Sequence, residues 1–173
     1  TLGVGANAVV SETEGLVQYK LPGATEWRAL RGGIDLPEGT AVVSGARGSA
    51  VLEIGNATVT LSPLSRMEVS LASVAAEQER TELSMKYGRV SAQVRRSRDR
   101  GTDFRVYTPI STAAVRGTEF VYDGHSLTVQ EGDVAAILRN GQHHSVRAGQ
   151  VSYMWETEWE ATVEEAMLEE LNF

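Results

Sequence analysis

The residues able to carry chemistry are few, and their spacing works against it. The three histidines are His125, in a turn-like stretch, and the adjacent His143 and His144. Neighbouring side chains leave opposite faces of an extended strand, so that pair cannot easily share a metal ion. Cysteine is absent, which removes disulfides, thiolate zinc sites and thiol catalysis together. No serine lies in a nucleophile elbow, and no helical histidine pair flanks a glutamate. Glu53, Glu68 and Glu119 fall in strand-like runs where a paired acid–base site is conceivable. Glu53 and Glu68 alternate with apolar neighbours, however, and read as a solvated face. Gly3-Val4-Gly5-Ala6-Asn7-Ala8 resembles a dinucleotide-binding glycine pattern but lacks the buried strand that must precede it. The glycines at 32, 33, 39, 45 and 48 precede β-formers instead of a helix, so they read as turns and not as a phosphate cradle. The expectation is no enzyme, no cofactor and no metal.

Charge is the second resource. The formal net charge is −7, which argues against a nucleic-acid binder, because that affinity comes from excess cations on phosphates. Arg95, Arg96, Arg98, Arg100 and Arg105 crowd one segment, and seven glutamates crowd the C-terminus from Glu156 to Glu170. Arg95–Arg100 cannot enter a core unpaired and is read as an exposed loop. It is either a solvated surface or a contact for the acidic tail, an anion or a partner. Arg116 beside Gly117 reads as a brace on backbone carbonyls or on Glu119 or Glu131, or else as a ligand contact. Trp27 is read as a lid on the core, the alternative being a ligand platform. Asn56-Ala57-Thr58 satisfies a glycosylation sequon and marks an exposed turn.

The elements that must position these groups are short strands. Met67, Val69 and Leu71, then Leu83, Met85 and Tyr87, then Val90, Ala92 and Val94 alternate with polar residues, the period of a half-buried strand. Ala113 with Val115, Phe120 with Tyr122, Leu127 with Val129, and Val134 with Ala136 and Leu138 continue the pattern. Asn140-Gly141 is a hairpin signal, and Ser73–Glu79 is read as a loop with one helical turn. Trp155, Trp159, Val163, Met167 and Leu171 recur every four residues and predict an amphipathic, acidic helix that must dock on something. No apolar run is long enough to span a membrane. The expected fold is all-β, either a β-solenoid-like stack or a twisted β-sandwich of many short strands, closed by that C-terminal amphipathic α-helix.

Four segments resemble one family. Phe104-Arg105-Val106-Tyr107-Thr108-Pro109, Ala114-Val115-Arg116-Gly117-Thr118-Glu119-Phe120 and Val129-Gln130-Glu131-Gly132-Asp133-Val134 follow in order the pattern of the FecR domain. Gly45–Ile54 and Leu83–Val90 match its earlier strands, so the resemblance covers roughly residues 36 to 150. It implies solenoid-like stacking, and the stack is the preferred alternative on that ground. It also implies a periplasmic or secreted, non-enzymatic module contacting a protein partner in the cell envelope. The sigma-factor-binding segment, membrane span and C-terminal signalling domain of full regulators are not in this chain. The organisation expected is N-terminal strands over 1–35, a FecR-like domain over 36–154 and a helix over 155–173. Thr108, Pro109, Arg116, Gly117, Thr118, Phe120, Glu131 and Gly132 carry the family pattern, with Arg95, Arg96, Arg98 and Arg100 as candidate contacts. Contact would be made by strand addition at an edge or through the arginine loop. The alternative function is an envelope module holding polysaccharide or another anionic polymer.

Overall fold

The computed structural model describes residues 4–5, 7–74, 77–97 and 101–154. Every element in them is a strand: β1 Val4–Gly5, β2 Ala8–Glu14, β3 Val17–Lys20, β4 Arg28–Ala29, β5 Asp35–Leu36, β6 Ala41–Ser44, β7 Ser49–Ile54, β8 Ala57–Leu61 and β9 Arg66–Val74. The second half holds β10 Gln78–Tyr87, β11 Val90–Val94, β12 Gly101–Tyr107, β13 Ser111–Val115, β14 Glu119–Tyr122, β15 Ser126–Glu131, β16 Asp133–Leu138, β17 His143–Arg147 and β18 Val151–Tyr153.

The strands form two sheets. The first runs β17-β16-β13-β12-β10-β9-β6-β3-β4, with β1 added on β9, and the second runs β18-β15-β14-β11-β8-β7-β2-β5. From β7 onward the chain gives strands to the two sheets alternately, mostly as hairpins. The reason is local: tight turns such as Asn140-Gly141 fold a strand back on its neighbour, and other corners carry the chain across the core.

This corrects the solenoid expectation. Successive solenoid coils pair in parallel, yet among the described residues only β10 with β12 is parallel, and every other pairing is antiparallel. The architecture is the other alternative, an antiparallel sandwich. The predicted C-terminal helix lies outside the described residues.

Alternation explains the core. Each strand turns one set of apolar residues inward, and these sets form one buried cluster drawn from both sheets. Phe104 of β12 and Phe120 of β14, both fully buried, meet edge to face across the interior with ring centroids 6.2 Å apart. Beside them the Tyr122 hydroxyl donates to Ser111 Oγ at 2.6 Å, and that hydroxyl donates to the Gly124 carbonyl at 2.7 Å. Burial pushes the Tyr122 phenol above its ordinary value, partly offset by its hydrogen bonds to Ser111 and Thr108.

A bulge corrects the strand reading at Tyr87. Between Met85 and Tyr87 the register of β10 slips against β9, and Tyr87 emerges on the surface, 52% exposed, instead of continuing the buried set. The stretch expected as a loop over 73–79 instead carries the end of β9 and the start of β10. Trp27 lies on the outside of the first sheet, with Lys20 Nζ 5.2 Å and Arg66 Cζ 5.4 Å from its ring centroid. It is therefore held between cations on the outer surface and does not close the core.

Candidate functional site

Of the family-patterned residues, Arg116, Gly117, Thr118, Glu131 and Gly132 meet at one corner where the chain passes between sheets, while Phe120 lies in the core. Val94 and Thr118 exchange backbone hydrogen bonds of 2.8 and 2.9 Å, and Thr118 Oγ1 donates to the Asp133 carbonyl at 3.0 Å. Gly132 has φ +80°, and a Cβ there would lie 2.8 Å from the Gly117 carbonyl. Only glycine suits that position, which joins the left-handed region to a close backbone approach. Arg116 is exposed, and its carbonyl accepts Arg96 Nε at 3.2 Å. The guanidinium that braces this corner therefore comes from Arg96, a role the sequence reading gave to Arg116.

Arg95 is positioned by a group outside that pattern. Asn56, in the turn between β7 and β8, donates through Nδ2 to the Arg95 carbonyl at 2.6 Å and to Thr102 Oγ1 at 3.0 Å. Its carbonyl accepts the Arg95 N–H at 3.1 Å. Its own N–H donates at 2.5 Å to Glu79, a buried carboxylate reaching over from the first sheet. The sequon asparagine is thus a structural tie whose amide is already engaged. Asn56→Ala is expected to cost about 2 kcal/mol, two side-chain bonds at about 1 kcal/mol each, read as a lower urea midpoint with unchanged slope.

These residues frame a shallow cleft of about 470 Å³ lined by Gln93, Arg95, Arg96, Gly117, Glu119, Glu131 and Gly132. Its charge is mixed. Glu119 and Glu131 stand directly opposite each other on β14 and β15, an arrangement that works against folding. Around the corner a second depression of about 430 Å³ crosses the first sheet, floored by Ala114, Ala135 and Ser145 with Arg105, Asp103 and Arg116 at its sides. Arg105 Nε is bound to Asp103 at 2.9 Å.

The opposite end holds Thr108 and Pro109. Thr108 Oγ1 donates to the Ser111 carbonyl at 2.8 Å and accepts the Ser111 N–H at 3.1 Å, closing the β12–β13 turn. Next to it Asp123 Oδ1 accepts the N–H groups of His125 and Ser126 at 2.9 and 2.7 Å, and Arg89 approaches to 3.5 Å. Burial works to raise the Asp123 carboxyl, but the Ser126 and His125 donors and Arg89 leave it below the ordinary carboxylate range. A folded value below the unfolded one means the stabilisation is present above the unfolded value, about 3.9. It is lost as pH falls through the folded value. Asp123→Asn is expected to cost about 1 kcal/mol near neutrality, and the gap from wild type should close in urea melts taken at progressively lower pH below that range.

Among the described residues no group of three or more histidine, aspartate or glutamate side chains could hold a metal, and no helix is long and apolar enough to cross a membrane. His143 and His144 sit on β17, and His144 Nε2 lies 2.6 Å from Ser152 Oγ of β18, a link between the two sheets. Arg98 and Arg100, and Trp155, Trp159, Val163, Met167 and Leu171, lie outside the described residues. Asn56, Glu79 and Asp123 were missed as positioning residues. An asparagine beside glycine in a hairpin turn was the available signal for the first; nothing local marks Glu79.

Fold and corner define an all-β sandwich whose patterned residues build a sheet-to-sheet crossing. The family model for FecR protein matches residues 40–135, more than half of the chain, and the chain belongs to the FecR family. Two crystal structures of an anti-sigma factor candidate from Parabacteroides distasonis ATCC 8503 share the fold, with TM-scores of 0.52 and 0.51 at 15% identity. The likeness covers 63% of this chain and 51% of theirs, so the chain spans about half the length of those proteins. No curated protein matches it by sequence.

Proposed function

We propose that this chain is a non-enzymatic, extracytoplasmic regulatory module that works by contacting another protein. Family membership supports a regulatory role, and the anti-sigma description of the structural neighbours points the same way. The observation that carries the reading is the use of the patterned residues. Gly117, Thr118, Phe120 and Gly132 are engaged in backbone and core geometry, which leaves the sheet faces and edges as the surfaces for recognition.

The polymer-binding alternative draws little from the arginine corner. Arg96 is tied to the Arg116 carbonyl, and Glu119 and Glu131 line the same cleft, where they repel a polyanion. The test is photo-crosslinking in cells that export the chain, with a photoreactive residue in turn at Ser145 on β17, Thr60 on β8 and Arg95. A discrete protease-sensitive adduct from at least one position is the expected result. No adduct from any position, or adducts digested only by glycosidases, overturns the reading.

A further inference from the structure

The cations borne by the strands are segregated by sheet, while carboxylates lie on both. The strands of the second sheet carry Glu12, Glu14, Asp35, Glu53, Glu119 and Glu131, and not one lysine or arginine. Every lysine and arginine that lies in a described strand belongs to the first sheet. Register sharpens the contrast. One row crosses the second sheet from Asp35 through Glu53 and Gln93 to Glu119 and Glu131, each step a direct strand pairing by way of Val9 and Thr58. The row spans seven strands, roughly 30 Å at about 4.8 Å per strand. The next row on the same face begins at Glu12 on β2 and continues through Val51, Thr60, Ser91, Val121, Thr128 and Val151, uncharged and in part apolar from Val51 onward, with Val151 49% exposed.

We propose that this face docks a basic polypeptide, its lysine or arginine side chains on the acidic row and its apolar side chains on the valine and threonine row. The assignment rests on the protein-contact reading above and names the chemistry of the partner. None of the six carboxylates forms an ion pair among the described residues, so the face presents its charge outward. On the first sheet Arg80, Arg105 and Arg147 are matched by Glu82, Asp103 and Asp133, and Lys20 and Arg66 flank Trp27. Arg28 on β4 and Lys86 on β10 form no ion pair among the described residues, so a second copy would bring single cations on separated strands, whereas a basic polypeptide brings them in a continuous row. Arg95 and Arg96 border only the Glu119–Glu131 end. The opposed Glu119 and Glu131 repel each other until a cation enters between them, so docking converts a cost of folding into binding.

The experiment uses a fluorescent peptide of alternating lysine and valine, a glutamate–valine counterpart and the whole chain. The lysine peptide should bind, more weakly as ionic strength rises, and the glutamate peptide should not. Glu53→Gln with Glu119→Gln and Glu131→Gln should weaken binding about tenfold while unfolding at an unchanged or higher urea midpoint. The charge-matched control, Glu26→Gln with Glu38→Gln and Glu68→Gln, should bind within about twofold of wild type. Equal losses in both triple variants, or no loss in the first, overturns the proposal. So does a concentration-dependent dimer that the first triple variant dissociates, since the occupant is then a second copy. A protein adduct from Ser145 alone, with peptide binding unchanged in the first triple variant, sinks this face but leaves the protein-contact reading standing.

Discussion

Phe120→Ala is expected to lower the unfolding free energy by about 3–5 kcal/mol, the range for truncating a buried phenylalanine. Phe120 is fully buried and stands edge to face with Phe104 of the opposite sheet. Truncation therefore removes the ring's burial and about 0.5–1.5 kcal/mol of specific aromatic contact. Because the pair spans the interior, little can move in to fill the space without separating the sheets. Against a domain stability of about 5–15 kcal/mol, the variant should melt far below wild type in urea at unchanged slope. A double-mutant cycle with Phe104→Ala should show positive coupling of about 0.5 kcal/mol or more. Phe120→Leu should recover most of the loss. If Phe120 contacted a ligand instead of the core, partner binding would fall even at temperatures where Phe120→Ala stays folded. The expected result is unchanged binding by the folded fraction.

The alternation that made Phe120 readable as a core residue is a local signal. It survives in Val90, Ala92 and Val94 and in Val134, Ala136 and Leu138, all buried as their period requires. It fails at Tyr87 because a bulge inserts one residue and reverses the facing, and nothing in the composition of the segment announces a bulge. The choice between a solenoid and a sandwich turns on which strands pair, a question of long-range partners that periodicity does not answer. Asn56 looked like an accessible acceptor since its role depends on Glu79, Arg95 and Thr102, each more than twenty positions away. The acidic row was illegible for the same reason. Asp35, Glu53, Glu119 and Glu131 are scattered along the chain and become one line only through successive strand registers.

Gly88→Ala should be among the most damaging single-methyl additions, costing about 3 kcal/mol or more. Gly88 directly follows β10 and begins the passage from the first sheet to the second, with φ +95°. Holding a side-chain-bearing residue in so sparse a region costs of order 1–3 kcal/mol before any contact is counted. The added Cβ would also collide with Ser65, at its Cα as well as its side chain. Ser65 cannot retreat cheaply: its N–H donates to Ser44 Oγ at 3.0 Å, and its hydroxyl accepts the Arg89 N–H at 2.9 Å. Relief of the clash would break that serine pair or tilt the crossing, and either adds to the backbone strain. Ser65→Gly in the same chain should return part of the loss by removing the colliding Cβ, whereas a purely conformational origin would leave the double variant as unstable as Gly88→Ala. Urea midpoints of the two single variants and the double variant separate these outcomes, because strain at φ +95° is indifferent to Ser65 and a collision is not.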